Sequence, residues 1–328
     1  MAGLPVRILV ADIGGTNCRF GLFVHERQAW TLAKVSICPS SGLSCSDDFL
    51  DAMQARMDIR PQSGDALALA IAGPVQGDAV LFGRSASLTN GSLVLDADRI
   101  RQRWSTNRCL LFNDFVAQAH ACLSPAGQGA RQVAGPVVCA KGGNACRAVL
   151  GAGTGLGAAT LQQFAGQWHA LPSEFGHTAF AFHGTEEVAF QTYLCHRCHI
   201  PCATCEDVLS GRGLAWLHAF LTGQEMSPAE VGRTALDRDS ATLRLFARFY
   251  ARACRHWILS SLCLGGLWIS GGIAQANPLC IDSPCFLQEL YGCSQMAALL
   301  RSVPICLLTD ALSGLWGAAW ALLSVAEG

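Results

Sequence analysis

Twice along this chain an apolar run of strand length stops at closely spaced glycines and resumes at once as strand-forming sequence. In the first instance Asp12-Ile-Gly14-Gly15-Thr16-Asn17 separates the apolar run 7–13 from residues 17–24. In the second, Gly151-Ala-Gly153-Thr154-Gly155-Leu-Gly157 separates 147–150 from 158–164. Each hairpin leads an α/β segment, so the pair reads as an internal duplication that restricts the fold to two related halves. No low-complexity linker lies between the halves, and a hinge rather than a tether is expected.

Glycine accepts positive φ, which lets successive backbone N–H groups converge on one point. Such a nest binds anions, phosphate above all. Around the first turn Thr16 adds a hydroxyl and Asn17 an amide. Asp12, at the end of its strand, is placed to hold a hydrated Mg²⁺. An ordinary hairpin turn is the plain alternative. A P-loop is excluded, because no Lys-Ser/Thr follows and the next element reads as strand. In the second turn Gly153-x-Gly155-x-x-Ala158, with Glu174 downstream, imitates a dinucleotide-binding fingerprint. That fingerprint demands a crossover helix, and residues 158–164 are too few for one before Gly166. A second phosphate nest facing the first is the better expectation.

The 328 residues can build two or three domains around a sizeable core. With 51% hydrophobic and 14% charged residues the chain is not disordered, and its net charge of −1 gives no electrostatic reason to expect nucleic acid or anionic lipid. Seventeen cysteines cannot all pair within one chain. A chain this long needs no covalent staples, so reduced thiols in a cytoplasm are expected. Arg7 and Asp12 interrupt any apolar leader. The uncharged stretch 257–281 is divided by Gly265–Gly266, Gly271–Gly272 and Pro278 into pieces shorter than a membrane span.

Other strands are expected at 30–37, 65–72, 109–112, 168–171, 267–273 and 303–308. Helices are expected at 47–57, at 96–104 with Asp96 as cap, and near 186–200, 207–221, 228–236 and 240–264, with a closing helix at 312–326. Trp257, Trp268, Trp316 and Trp320 read as core, and His25, His120, His218 and His256 as surface or satisfied core residues.

Four groups carry chemistry. Asn113–Asp114 follows an apolar strand; Asp114 offers a base and Asn113 a partner for a sugar hydroxyl, although the pair would also serve as a plain helix cap. Glu174 and His177 sit in the Pro/Gly-punctuated segment Pro172-Ser-Glu-Phe-Gly-His177, where carboxylate and imidazole can read vicinal hydroxyls; a surface turn is the bland alternative. Glu206 precedes Val208-Leu-Ser-Gly211. Cys195, Cys198, Cys202 and Cys205, with His196 and His199, have spacing that admits a structural Zn²⁺, yet the three-residue connection is short for a zinc ribbon and buried small residues account for the cysteines equally well.

Taken in order, Asp12–Asn17, Ala70-Ile-Ala-Gly-Pro-Val75 with Gly77–Asp78, Asn113–Asp114, the 151–157 turn, 172–177 and 208–211 resemble bacterial-type glucokinases of the hexokinase–actin–chaperone superfamily. The likeness runs from about residue 7 to the closing helix. It implies an α/β fold of two ribonuclease-H-like (actin-like ATPase) domains around a central cleft with ATP between them: a small domain at 1–112 completed by a C-terminal helix at about 310–328, and a large domain at 113–309. It assigns glucose contacts to Asn113, Asp114, Glu174, His177 and Glu206. It assigns ATP contacts to Asp12, Gly14, Gly15, Thr16, Asn17, Gly153, Thr154, Gly155, Gly271 and Gly272. The implied reaction is Mg²⁺- and ATP-dependent phosphorylation of the 6-hydroxyl of glucose, the opening step of glycolysis, with Asp114 as base, in a cytoplasmic homodimer. Phe175, where the family often has glycine, is expected to reshape the sugar pocket. The alternatives are a kinase for another hexose or N-acyl amino sugar, a non-catalytic sugar sensor and a filament- or chaperone-like ATPase. The early first strand leaves no room for the N-terminal DNA-binding segment that related repressors carry.

Overall fold

The computed structural model describes residues 7–26, 29–77, 83–137 and 145–326. Asp78, part of one motif above, lies outside them. The chain divides into two compact units: Met1–Gly129 with Leu161–Pro172 and Asp310–Gly328, and Ala130–Thr160 with Ser173–Thr309.

In the first unit β1 (Arg7–Ile13), β2 (Asn17–Glu26), β3 (Ala29–Pro39), β4 (Asp65–Ile71) and β8 (Cys109–Asn113) form a five-stranded sheet of order β3-β2-β1-β4-β8. Between β4 and β8 the short strands β5 (Val75–Gln76), β6 (Ser85–Ser87) and β7 (Val94–Asp96) make a separate sheet. β4 is buried at every residue, as a strand covered on both faces must be, and its composition is accordingly apolar after Asp65. β1 and β4 run parallel with Ile13 opposite Ile71, and β4 and β8 run parallel with Ile71 opposite Asn113. The three strands therefore end level.

Helix Ser46–Met57 buries Phe49, Leu50, Met53 and Met57, the stripe its spacing predicts. Helix Ala97–Trp104 is capped by Asp96, whose side chain accepts from the Arg99 N–H. The closing helix Ser313–Ala326 packs on helix Asp114–Ala121 and on β1. Contact is so close that a Cβ on Gly317 would collide with the Ala117 carbonyl. This packing carries the first unit beyond residue 112 to Gly129.

A six-stranded sheet has the order β12-β11-β10-β13-β14-β9, from β9 (Arg131–Ala134), β10 (Arg147–Ala152), β11 (Leu156–Phe164), β12 (Gln167–Ser173), β13 (Gly266–Ser270) and β14 (Ile305–Leu307); β9, β10, β13 and β14 belong to the second unit, while Leu161–Pro172 is counted with the first. β11 follows the second glycine turn directly, so the crossover helix of a dinucleotide fingerprint is absent. Helix Ala241–Ser261 runs through the core and is the unit's longest described helix. Its Arg252 is fully buried, donating to Glu187, Glu289 and the Ala181 carbonyl. A buried guanidinium persists only with such full compensation. The helix expected at 207–221 is two, Cys205–Val208 and Gly211–Thr222, because Ser210 caps the second through the Gly213 N–H. Among the described residues no helix is long and apolar enough to cross a membrane.

Candidate active site

At the first turn the Gly14 N–H closes the hairpin on the Asn17 carbonyl at 3.0 Å. The N–H groups of Gly15 and Thr16 make no backbone hydrogen bond among the described residues and remain as donors. Neither Gly14 nor Gly15 adopts positive φ, so the reason expected for these glycines does not hold. Space decides at Gly15, where a Cβ would meet that of Asn90 at 3.3 Å. Asp12, the last residue but one of β1, has a side chain 17% exposed and an ion pair to Arg19 at 3.2 Å. Burial pushes its carboxyl above the usual range, outweighing the pull of Arg19. Gly314, at the start of the closing helix, admits this carboxylate; a Cβ there would lie 2.7 Å from it.

Asn113 is the last residue of β8 and Asp114 follows it, at the same end of the sheet. The level ends of β1 and β8 are two strands apart, about 10 Å, the scale of a sugar hydroxyl beside a phosphate chain. Asn113 caps helix Asp114–Ala121, accepting from the Phe115 N–H at 2.9 Å, and Asp114 accepts from the same group at 3.1 Å. Capping and chemistry thus share the pair. The amide of Asn113 also reaches the Gly73 carbonyl at 3.5 Å.

In the second unit the turn repeats the pattern. The Gly153 N–H closes on the Gly155 carbonyl at 2.8 Å, and the Gly211 N–H donates to the Gly153 carbonyl at 2.9 Å. Gly153 and Gly155 also lack positive φ. At Gly155 a Cβ would press on the Glu206 carboxylate, 2.5 Å away, and move it. Glu206 accepts from the Leu156 N–H at 3.0 Å and faces Arg212 at 3.4 Å. Gly176 lies against the Leu156 carbonyl so closely that a Cβ could not fit, and the Cys205 N–H donates to the Thr178 carbonyl at 2.9 Å. Leu156 therefore gathers the turn, the 174–177 segment and Glu206.

Glu174 and His177 are 88% and 66% exposed, their side chains 3.7 Å apart, on a single 3₁₀ turn. Phe175 anchors that turn: its ring packs on Trp257 at 5.2 Å, and the Trp257 indole donates to the Val149 carbonyl. Phe175 is half-buried and packs against the core of this unit. Gly271 does need positive φ, at +89°, and a Cβ on it would strike the Ala152 carbonyl. β13 pairs with β10 as far as Ser270 opposite Gly151, so Gly271–Gly272 lies beside the 153–155 turn. Tyr250, unnoticed in the sequence, is buried with its hydroxyl 3.4 Å from the Ala152 N–H and 3.5 Å from the Ser270 carbonyl, just before both turns.

The zinc set does not assemble: among the described residues no three His, Cys, Asp or Glu side chains converge on a metal position. Cys205 is buried in the core beside Thr178, Cys202 is exposed, and the Cys202 thiol turns to the Ala203 carbonyl. Mg²⁺ is different, since it is usually held by one or two carboxylates plus substrate phosphates. Asp12, beside two unspent N–H donors, fits that requirement.

The sequence profile of the family described as Glucokinase matches residues 9–325. A glucokinase of Helicobacter pylori (strain P12) is 32% identical, the match covering 96% of this chain and 95% of that one. The structure of a glucokinase from an Antarctic psychrotroph superposes with a TM-score of 0.80 at 26% identity, over 97% of this chain and 99% of that one. A Balamuthia mandrillaris glucokinase solved in complex with glucose shares the fold with a TM-score of 0.78 at 20% identity, over 100% and 95% of the two chains. With family, relatives and fold agreeing over almost every residue, the chain belongs to the glucokinase family.

Proposed function

We propose that this protein transfers the γ-phosphoryl group of ATP to the 6-hydroxyl of glucose. Asp114 takes the hydroxyl proton as the oxygen attacks, and Asn113, Glu174, His177 and Glu206 hold the sugar hydroxyls. The Gly15 and Thr16 N–H groups and the Thr16 hydroxyl hold phosphate oxygens in the first unit; Gly153, Thr154, Gly155, Gly271 and Gly272 supply nucleotide contacts in the second. Asp12 would hold Mg²⁺ through water, and the ion, when bound to the phosphates, neutralises charge that grows during transfer. Donor placement and proton removal are the protein's share of such a reaction.

The observation that carries the reading is the level ending of β1 and β8, which sets a phosphate-type turn and a strand-end carboxylate at one end of the sheet. The exposed Glu174–His177 turn favours a polyol acceptor over water alone. The free cysteines, among the described residues, suit a reducing compartment. The test is product analysis across a panel of hexoses and N-acyl amino sugars with ATP. Glucose 6-phosphate as the main product supports the assignment; preferential turnover of another sugar overturns the substrate.

A further inference from the structure

Ser40 lies one residue beyond β3, where Pro39 stands opposite Asn17. It is 4% exposed. Its hydroxyl donates to the Gly14 carbonyl at 2.6 Å, and its N–H donates to the Thr16 carbonyl at 3.0 Å. One buried residue thus grips two carbonyls of the first glycine turn, 26 and 24 positions earlier in the chain.

A trans peptide is planar, with its C=O and N–H pointing in opposite directions. Fixing the Gly14 carbonyl toward Ser40 therefore fixes the Gly15 N–H away from it. Fixing the Thr16 carbonyl does the same for the peptide that follows. The Thr16 N–H, between these two clamped planes, loses its freedom to turn inward. Gly14 and Gly15 lack the restriction a Cβ would impose, so the turn needs an outside constraint to hold its donors still. Donors held in place before the ligand arrives bind a developing charge without reorganisation.

We propose that Ser40 is a positioning residue for the triphosphate of ATP, acting through the Gly14–Thr16 turn without touching the nucleotide. The inference rests on the proposed phosphate role of that turn and extends it to a residue outside every recognised motif.

The experiment compares wild type, Ser40→Ala and Ser40→Cys. Initial rates are measured against ATP at saturating glucose and against glucose at saturating ATP, together with the thermal midpoint of each variant. Loss of one buried hydrogen bond should raise KM for ATP about two- to tenfold in Ser40→Ala. KM for glucose should stay within about twofold of wild type, because the level-ended strands carrying Asn113 are untouched. The thiol of Ser40→Cys, a weak donor, should give an intermediate value. Should the alanine variant fail to fold, the cysteine variant decides by the same split. A KM for ATP unchanged in the variants, or KM values for ATP and glucose rising together, overturns the inference while leaving the reaction assigned. Absence of glucose-dependent ATP turnover in wild type overturns both.

Discussion

Asp114 has two duties: its carboxylate accepts from the Phe115 N–H in the first turn of its helix and is proposed to accept a proton from a sugar. Asn113 makes the shorter bond to that N–H, at 2.9 Å, which leaves the helix start secure without the aspartate. Asp114→Asn should therefore lower kcat by about 10²–10⁴-fold with little change in thermal midpoint, whereas Asn113→Ala should cost about 1 kcal/mol of stability through the lost cap. Coupled assay and thermal unfolding separate the two. His120 gives a pH prediction. It is 4% exposed, its Nδ1 has no partner among the described residues, and burial pushes its pKa down to about 4. The unfolded chain binds this proton from about pH 6.5 downward, while the folded chain resists until about pH 4. The histidine's contribution is thus intact above about pH 6.5 and is lost as pH falls toward 4, by about 3 kcal/mol. Thermal unfolding from pH 7 to 4 should fall less steeply in His120→Gln; equal slopes would contradict this.

At the scale of elements, close approach governs more glycines than positive φ does. Gly317 lets the closing helix touch helix Asp114–Ala121, and Gly314 admits the Asp12 carboxylate. Gly317→Ala overpacks that contact and should cost about 1–3 kcal/mol, seen as a lower thermal midpoint. It should also disturb helix Asp114–Ala121 enough to reduce kcat. Gly271→Ala combines the strain of φ +89° with collision against the Ala152 carbonyl, and should raise KM for ATP more than KM for glucose. The strand–turn–strand units, the stripe on helix Ser46–Met57 and the Asp96 cap were legible because each is written in local spacing. The candidate site residues were legible as ordered motifs. Several features were not, since they depend on contacts between distant segments. Ser40 reaches back to Gly14, Tyr250 ties Ala152 to Ser270, and Glu206 fills the space beside Gly155. The three-stranded sheet β5-β6-β7 escaped notice because strands of two or three residues carry no periodicity. The paired Cys-x₂-Cys spacing admitted two readings, and Cys205 follows the apolar one: it packs into the core, where a thiol serves as a small apolar group.

At the scale of the molecule each unit carries one glycine turn with an N–H spent on closing the hairpin, Gly14 to the Asn17 carbonyl and Gly153 to the Gly155 carbonyl. Asp114 lies in the first unit, and Glu174, His177 and Glu206 lie in the second. The most direct measurement is the rate of ADP release from ATP with and without glucose, in wild type and in Asp114→Asn. The account predicts that glucose accelerates ADP release strongly in wild type, with glucose 6-phosphate formed in equal amount, and that Asp114→Asn abolishes nearly all of that acceleration. ADP release indifferent to glucose, or a glucose response that survives in Asp114→Asn, would contradict it.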